Sequence, residues 1–425
     1  MNVHESEKIA GILENLGYIS TVDEREADII VLNTCCIRDT AEKKILGNIG
    51  DIKILKKAKP SLIVAVVGCM TQQSGSAADL KKKFPFLNIV LGTSNLNELS
   101  DAIQKIRQKR IRYYDNILNE TLPEIDESIP VKRTSGTNAW VNIMYGCNNF
   151  CTYCVVPLVR GRERSRDFQT ILDEIKGLLD EGYKEITLLG QNVDSYSFED
   201  KRFVDILESV AKMDGKFRLR FMTSHPKDFN SAVIDVISSC DNICNNIHLP
   251  VQAGSDRILR LMNRHYDRAK YMDILAEIRQ KLPRCGVTSD VMVGFPTETE
   301  EDFAETLSLV EQARFSNAFT FVYSSRRGTK AATMEQVPAA VKKDRITRLV
   351  ALQNAITKEL SLDYIGRVEE VLVEDVNPKK SGYVCGRTES GRLVNFPGAE
   401  ADVGLFKNVR ITSSRSAALW GEYDQ

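Results

Sequence analysis

An alternation of short apolar segments with amphipathic segments constrains the fold of this chain more than any other feature. It runs to about residue 325 of the 425 residues. Apolar runs of about four to eight residues predict strands, and the amphipathic stretches between them predict helices. Strands separated by helices pair in parallel, because a parallel crossover needs about a dozen residues or more. Most of the chain is therefore predicted to be α/β, with parallel strands.

Residues 1–115 predict an N-terminal parallel α/β domain. Its strands are expected at residues 28–32, 62–67 and 88–91, and its helices near residues 38–57, 75–84 and 96–110. Residues 116–136 are polar and include Pro123, Pro130 and Ser135-Gly136. This composition predicts an exposed linker.

Residues 137–363 predict a second α/β domain. Six strand candidates lie at residues 140–144, 185–189, 218–223, 243–249, 288–293 and 318–323. Six βα units favour a partial (β/α)6 barrel over an open sheet. A further helix is expected over roughly residues 339–363.

Residues 364–425 predict a small all-β barrel, because strands and glycine turns continue there without helices. The strand candidates lie at residues 368–373, 382–386, 392–396 and 409–413.

Composition excludes several classes of protein. Hydrophobic residues make up 43% and charged residues 27%, and no apolar run approaches the roughly 18 residues that span a bilayer. The segment Met1–Lys8 lacks the basic and apolar regions of an export signal, so a cytoplasmic location is expected. The ten cysteines are then interpreted as thiols rather than disulfides. A net charge of -1 means that nucleic acid would need a local basic patch.

Three cysteines follow the first barrel strand at close spacing. Cys147, Cys151 and Cys154 have three and then two residues between them. A 4Fe-4S cluster held by three thiolates leaves one iron open for chemistry, by the logic that separates catalytic from structural metal sites. Zinc is the alternative, but a structural zinc site needs a fourth ligand, and the next histidine is the distant His225. The spacing therefore favours a reactive iron–sulfur site.

The CxxxCxxC loop after a strand that opens a βα barrel resembles the radical S-adenosylmethionine superfamily. The surrounding residues are similar to the methylthiotransferase family within it, over nearly the whole chain. The segments that carry this resemblance are Cys154-Val155-Val156-Pro157, residues 160–166, 188–193 and 248–256, and Gly294-Phe295-Pro296-Thr297-Glu298-Thr299. The Gln191-Asn192 and His248-Leu249-Pro250 segments are most similar to members that act on an isopentenylated adenosine of tRNA.

The resemblance implies two 4Fe-4S clusters, with S-adenosylmethionine bound at the cluster of the CxxxCxxC loop. Cys35 and Cys69 each follow a predicted strand, so both should emerge at the carboxyl edge of the first sheet. Their Asn-Thr-Cys and Gly-Cys-Met contexts match ligands of the family's auxiliary cluster, although two buried thiols would look the same. The chain is predicted to be a transferase that adds a methylthio group to C2 of the adenosine.

The family's third auxiliary ligand belongs to a Gly-Cys-Gln segment just before the Met-Asn pair that opens this sequence. A start upstream of Met1 is the preferred explanation, because the opening helix would otherwise have lost a neighbouring strand. Alternatively Cys36 or an outside thiol completes the site, or the cluster is not built. Cys36 is expected to point away from Cys35, since neighbours on a strand alternate.

The resemblance also implies contacts with S-adenosylmethionine from Gln191, Asn192, Gly294 and Pro296 at the ends of the second and fifth barrel strands. The alternative is that these residues only form turns. The remaining cysteines, Cys240, Cys244, Cys285 and Cys385, are expected to bind no metal, and no histidine is assigned a role.

Four arginines follow the cluster loop, at Arg160, Arg162, Arg164 and Arg166. They are expected to contact RNA phosphates, with a solvated loop as the alternative. The C-terminal barrel is similar to the RNA-binding TRAM module, on resemblance and not on charge.

The expected partners are tRNA, an electron donor and a sulfur source, with no membrane and a monomeric state. The rival readings are the same chemistry on threonylcarbamoyladenosine or on a ribosomal-protein aspartate, or a non-catalytic zinc-stabilised RNA-binding protein.

Overall fold

The structure is a computed structural model that describes residues 1–36, 39–73, 75–116, 125–415 and 417–424. The start of the helix predicted at residue 38 and residues 117–124 of the predicted linker, including Pro123, lie outside these residues. The described chain forms two compact units. The first comprises Met1–Thr134, Tyr145–Arg164 and Ser324–Ala332, and the second comprises Ser135–Met144, Ser165–Tyr323 and Thr333–Gln425.

A four-stranded parallel sheet organises the first unit. Its strands lie in the order β1 (Ile29–Thr34), β2 (Ile63–Gly68), β3 (Ile89–Leu91) and β4 (Tyr114–Asn116). The helices are α1 (Asn2–Asn15), α2 (Asp39–Ala58), α3 (Ser76–Lys83), α4 (Leu99–Arg107) and the short α5 (Val156–Arg160). The predicted strands and helices are thus present, but β4 was missed because it lies where polar residues predicted a linker.

Apolar side chains cover both faces of this sheet. Successive residues of a strand point to opposite faces. Accordingly Val64 and Val66 of β2 pack in one core with residues of α2 and α3, and Ile63 and Ala65 pack in another with residues of α1 and α4. The opening helix α1 therefore packs against the sheet and α4, and the strand expected upstream of Met1 stays a prediction.

Six parallel strands organise the second unit. They are β5 (Asn138–Asn142), β8 (Glu185–Leu189), β11 (Arg218–Phe221), β12 (Asn246–His248), β13 (Gly286–Val293) and β14 (Asn317–Val322). Strands β5, β8 and β11 form one sheet, and β12, β13 and β14 form another. A parallel bridge between Leu219 and Ile243 joins them, so the predicted partial barrel is confirmed.

The helices of the second unit lie between these strands and after the last of them. They are α6 (Phe168–Asp180), α7 (Phe203–Ala211), α8 (Ser231–Ser239), α9 (Asp256–Leu261), α10 (Arg268–Lys281), α11 (Glu300–Ala313) and α12 (Ala339–Leu362). Short strands β6 (Met144–Tyr145), β7 (Arg164–Ser165), β9 (Ser197–Phe198) and β10 (Lys201–Arg202) complete the region. Helix α11 begins at a capping box, in which Thr299 and Asp302 each bond the other's backbone N–H.

A closed five-stranded barrel follows α12, as predicted. Its strands are β15 (Val368–Val376), β16 (Tyr383–Thr388), β17 (Leu393–Pro397), β18 (Phe406–Arg415) and β19 (Ala418–Tyr423). The last strand was missed in the sequence. It closes the barrel by pairing with both β17 and β18.

The turn between β16 and β17, residues 388–391, covers the amino end of the partial barrel. Arg220 of β11 donates to the carbonyl oxygens of Thr388 at 2.8 Å and Glu389 at 2.9 Å. Its Nε donates to Glu185 at 2.8 Å, and both side chains are buried. Gly286 is required at the start of β13, because a Cβ there would lie 2.2 Å from the carbonyl oxygen of Ser390. The small barrel therefore forms the floor of the partial barrel.

Within the described residues, no helix is both long enough and apolar enough to cross a membrane.

Candidate active site

The loop that carries Cys147, Cys151 and Cys154 is held by its own backbone. Gly146 has a φ of +77°, and a Cβ at this position would lie 2.7 Å from the carbonyl oxygen of Gly161. The Cys147 N–H donates to that same oxygen at 3.1 Å, and the Cys154 N–H donates to the Cys151 oxygen at 2.9 Å. The loop therefore presents three cysteines from a backbone with fixed turns.

The sulfur of Cys154 accepts a hydrogen bond from the backbone N–H of Val156 at 3.4 Å. Such bonds favour thiolate over thiol and tune the potential of an iron–sulfur cluster. Next to it, Phe150 is 41% exposed with a φ of +46°, and the Arg162 guanidinium lies 4.3 Å from its ring centroid. The loop thus combines a thiolate-stabilising donor with an exposed aromatic and a cation.

Cys35 and Cys69 lie side by side at the carboxyl edge of the first sheet, where the sequence predicted them. Thr34 and Gly68, the preceding residues, are in register across β1 and β2. The Cys69 N–H donates to the Thr34 carbonyl oxygen at 3.1 Å. Parallel strands therefore deliver both thiols to one edge.

Cys36 lies beside Cys69 and does not point away from this site as expected. Its thiol is fully buried and shares a hydrogen bond with Cys69, which raises the pKa of Cys36 and lowers that of Cys69. The expectation failed because β1 ends at Thr34, so the alternation of a strand no longer applies. Three cysteines, rather than two, thus occupy this edge.

The four arginines after the cluster loop have different surroundings. Arg160, half-buried, hydrogen-bonds Cys69 and lies 3.7 Å from the Met1 sulfur. Arg166 is buried and pairs with Glu174 at 2.7 Å. Arg162 is exposed, and Arg164 is partly buried, which lowers the pKa of its guanidinium. Of these four side chains, Arg162 is the most exposed, and Arg166 is the one buried in an ion pair.

An open pocket adjoins the thiols of the first unit. It encloses about 870 Å³ of empty space, part of it open solvent, and Gly68, which precedes Cys69, forms part of its wall. Its charged lining residues are Glu5, Lys8, Asp126, Arg160 and Arg164. The wall of this pocket therefore includes the residue before Cys69 and carries side chains of both charges.

In the second unit, Gln191 and Asn192 follow the carboxyl end of β8. Asn192 is 1% exposed, and its Nδ2 donates to Asp228 at 2.7 Å. Gly294 and Pro296 follow β13, and the Gly294 N–H donates to Glu298 at 2.7 Å. The four residues predicted to bind the cofactor therefore sit at carboxyl ends of barrel strands, with Gly294 already engaged in a turn.

Sequence reasoning missed two ionisable residues at this end of the barrel. His225 follows β11, and Asp194 accepts its backbone N–H at 2.9 Å. Burial raises the pKa of Asp194 to about 7. The sequence signal was weak: His225 closely follows its predicted strand, as Asn192 does, but a lone histidine carries no spacing.

Among the described residues, no three His, Cys, Asp or Glu side chains are already arranged as a metal site. Whether the cysteines can hold an iron–sulfur cluster therefore depends on the chemistry of their sulfur atoms. Thiolates are its preferred ligands, and both cysteine groups have neighbours that stabilise a thiolate: the Val156 N–H at Cys154, and Cys36 and Arg160 at Cys69. Both groups fit such a cofactor.

Three family models match separate parts of the chain. The Radical SAM superfamily matches residues 141–310, the TRAM domain matches residues 363–423, and the family described as "Uncharacterized protein family UPF0004" matches residues 1–92.

Curated relatives match almost the whole chain. The tRNA-2-methylthio-N(6)-dimethylallyladenosine synthase of Clostridium botulinum (strain Loch Maree / Type A3) is 50% identical over 99% of this chain and 94% of its own. The enzymes with that name from Desulforamulus reducens and Carboxydothermus hydrogenoformans are 49% and 48% identical, over 99% of this chain and 93% and 96% of their own.

Solved structures match the fold at low sequence identity. A radical S-adenosylmethionine methyltransferase from Kitasatospora setae, solved with cobalamin and a 4Fe-4S cluster, gives a TM-score of 0.53 at 12% identity over 77% of this chain and 69% of its own. The same enzyme with tryptophan and a cofactor analogue gives 0.52 over 74% and 65%. These structures show the fold, while the family models and the relatives that match 99% of the chain establish that it belongs to the methylthiotransferase family of radical S-adenosylmethionine enzymes.

Proposed function

We propose that this enzyme adds a methylthio group to C2 of N(6)-isopentenyladenosine next to the anticodon of tRNA. The observation that carries the proposal is about 50% identity, over 99% of the chain, to synthases named for that product. These relatives do not favour threonylcarbamoyladenosine or a ribosomal-protein aspartate as the substrate. Two molecules of S-adenosylmethionine are used, one as methyl donor and one as the source of a 5'-deoxyadenosyl radical.

Cys147, Cys151 and Cys154 hold a 4Fe-4S cluster in this proposal. When bound, that cluster supplies the electron that cleaves S-adenosylmethionine. The protein holds the thiolates on a loop fixed by Gly146 and stabilises one of them through the Val156 N–H. Gln191, Asn192, Gly294 and Pro296 contribute contacts to S-adenosylmethionine from the carboxyl ends of their strands.

Cys35 and Cys69 serve the second 4Fe-4S cluster, whose role is in sulfur insertion. Arg160 supports this assignment, because its guanidinium favours thiolate at Cys69. Cys36 is close enough to bond Cys69, so it is the first side chain to test as a further ligand.

The RNA is held outside the cofactor sites. Arg162 and Arg164 contact phosphates near the target base. Arg160 and Arg166 keep their contacts with Cys69 and Glu174. The barrel of residues 364–425 is the RNA-binding TRAM domain. Along the sequence it follows an N-terminal domain over residues 1–115, a linker over residues 116–136 and a catalytic core over residues 137–363. The target base is presented unstacked, as single-stranded RNA recognition requires. An electron donor and a sulfur source complete the set of partners of a cytoplasmic monomer.

Nucleoside mass spectrometry of tRNA tests the substrate. Cells without the gene should accumulate isopentenyladenosine without the methylthio group, and the gene should restore the product. A Cys151→Ala gene should not restore it, and the purified variant should release no 5'-deoxyadenosine from S-adenosylmethionine. Restoration by Cys151→Ala would contradict the assignment of the cluster loop.

The auxiliary thiols are tested by separating the two halves of the reaction. A Cys35→Ala, Cys69→Ala double variant should still form 5'-deoxyadenosine but no methylthio product, because the radical site keeps its three cysteines. Cys240→Ala is the matched control and should keep both products. Unchanged iron content in the double variant would show that Cys35 and Cys69 are ordinary thiols.

A further inference from the structure

A second open pocket of the first unit lies at the edge of the sheet opposite the thiols. It encloses about 1670 Å³ of empty space, part of it open solvent. The lining residues at or just before the amino ends of the four strands are Asp28, Ile63, Asn88 and Tyr113. The thiols follow the carboxyl ends of β1 and β2, and a strand of six residues is about 20 Å long. This amino-edge pocket is therefore separate from the thiol site.

Positive charge predominates in the lining of the amino-edge pocket. Its basic side chains among the described residues are Lys56, Lys81, Arg107, Lys109 and Arg112. The carboxylate of the lining is Asp28, which Lys59 already pairs at 2.7 Å. Within the described chain, none of the five basic groups forms an ion pair with a carboxylate. Because the whole chain has a net charge of -1, this surplus of positive charge is local.

Residues 105–112 supply most of this charge, with five basic residues and no acidic one. The backbone after helix α4 turns at Lys109, which has a left-handed φ of +57°. The Arg110 N–H donates to the Lys105 carbonyl oxygen at 3.1 Å, and the Lys109 N–H donates to that of Ile106 at 3.0 Å. This pair of bonds is the Schellman ending of a helix, in which glycine usually takes the left-handed position. The chain thus has a lysine where glycine would suit the backbone better.

Two tyrosines hold some of these cations and bring further donors. The Lys81 Nζ lies 3.9 Å from the ring centroid of Tyr113, and the Arg107 guanidinium lies 5.0 Å from that of Tyr18. Both tyrosine hydroxyls are buried, and neither has a hydrogen-bond partner of normal geometry among the described residues. Lysine and arginine side chains only donate. A ligand that completes these groups therefore has to supply acceptor oxygens and negative charge, as a phosphate does.

The basic groups form a row rather than a single cluster. Lys56 bonds the Pro60 carbonyl oxygen before β2 at 3.1 Å, whereas Arg112 lies just before β4. Neighbouring strands are about 4.8 Å apart, so the row covers about 10 Å, which is more than one phosphate group needs. We propose that the amino-edge pocket binds successive phosphates of the tRNA backbone, as a contact region separate from that of the target base. The inference rests on the proposed function for the identity of the RNA.

A double variant, Lys109→Gly with Arg112→Gln, tests this surface. Lys109→Gly removes a charge and places glycine at the left-handed position, so thermal unfolding should occur at the same temperature or higher. Lys105→Gln is the matched control, because Lys105 belongs to the same basic segment but pairs with Asp101 at 2.5 Å and does not line the pocket. Binding of isopentenylated and of unmodified tRNA to the anaerobically purified, cluster-loaded enzyme is measured by fluorescence anisotropy at several salt concentrations.

The double variant should bind tRNA about fivefold or more weakly near 0.1 M salt, and its salt slope should fall by about two, one for each phosphate contact. Both RNAs should lose affinity equally, because backbone contacts do not read the base. Lys105→Gln should keep the affinity and the slope of the wild type.

Unchanged tRNA affinity and salt slope, in a double variant with wild-type thermal unfolding, overturn the proposal. Loss of binding to ATP with unchanged binding to tRNA overturns it in favour of a mononucleotide site. Lys81→Gln combined with Arg112→Gln decides the matter in the same way if the first variant does not fold. A wild type that binds tRNA without forming the methylthio product would contradict the proposed function and not this surface.

Discussion

The two ends of the partial barrel use buried polar groups in opposite ways. At the amino end, Arg218 and Arg220 direct their guanidinium groups at backbone carbonyls of the small barrel and at Glu185. At the carboxyl end, a nitrogen of His225 and an oxygen of Asn192 are buried without a hydrogen-bond partner among the described residues. The charged groups at the amino end of these strands are thus paired, whereas polar atoms at the carboxyl end are buried without partners among the described residues.

The amino ends of the strands therefore contribute mainly to stability, and the carboxyl ends contribute mainly to function. A buried ion pair costs several kcal/mol when one partner is removed, so the amino end depends on its pairing. Unsatisfied groups at the carboxyl end lower stability, and a fold retains them where a ligand completes them. The comparison predicts that substitutions at the amino end lower stability, whereas those at the carboxyl end change binding and can raise stability.

The largest effect on stability is expected for Arg220→Met. It leaves Glu185 buried without its partner and leaves two carbonyl oxygens of the turn without a donor, at a cost of about 3–5 kcal/mol in the free energy of unfolding. Urea unfolding measures the loss.

A double variant isolates the charge in this pair. Glu185→Gln combined with Arg220→Met removes the uncompensated carboxylate, so it should be more stable than Arg220→Met alone. Equal stability of the two variants would show that Glu185 is not buried as a charge, and the contrast between the ends would lose its basis.

An intermediate effect is expected in the pH dependence of stability. The pKa of Asp194 is raised from 3.8 to about 7, so the unfolded chain loses this proton first as pH rises. The free energy of unfolding should therefore fall between about pH 4 and pH 7 and level off above that. Asp194→Asn should remove that part of the slope and be the more stable protein at pH 8. An identical slope in both proteins would contradict a buried, protonated Asp194.

The smallest effect is expected for Gly391→Ala in the turn at the barrel floor. Gly391 has a φ of +82°, and a Cβ would lie 2.9 Å from Asn246 Nδ2, so a loss of about 1–2 kcal/mol is expected. Gly382→Ala is the control, since its φ is +74° but no atom lies within 4 Å of the added carbon. The excess loss in Gly391→Ala over Gly382→Ala measures the contact with the barrel floor.

Periodicity predicted the sheets well because burial of apolar residues determined them. Strand β2 is buried on both faces, and its continuous apolar run is unmistakable in the sequence. Strand β4 was missed because Tyr114–Asn116 is polar, and its pairing with β3 leaves no local signal. Strand β19 forms a hairpin with the preceding strand β18, so its signal was local and was overlooked.

The site was predictable where spacing along the chain defines it. Cys147, Cys151 and Cys154 share one loop, so their grouping is local. The role of Arg160 was not predictable, because its contact with Cys69 joins residues 91 positions apart in sequence. His225 was overlooked since a lone histidine carries no spacing, and only the hydrogen bonds to its neighbours distinguish it.

The contact between Arg220 and the Thr388 carbonyl spans 168 positions of the chain. A ribosome adds about 5–20 residues per second, so roughly ten to thirty seconds separate the synthesis of the two partners. During that time the small barrel that accepts bonds from Arg218 and Arg220 does not yet exist. The growing chain then has to keep these two guanidinium groups and the Glu185 carboxylate in water. The catalytic barrel is therefore completed by a segment that is translated well after it, and a nascent chain released before residue 388 would expose these charged groups to chaperones and proteases.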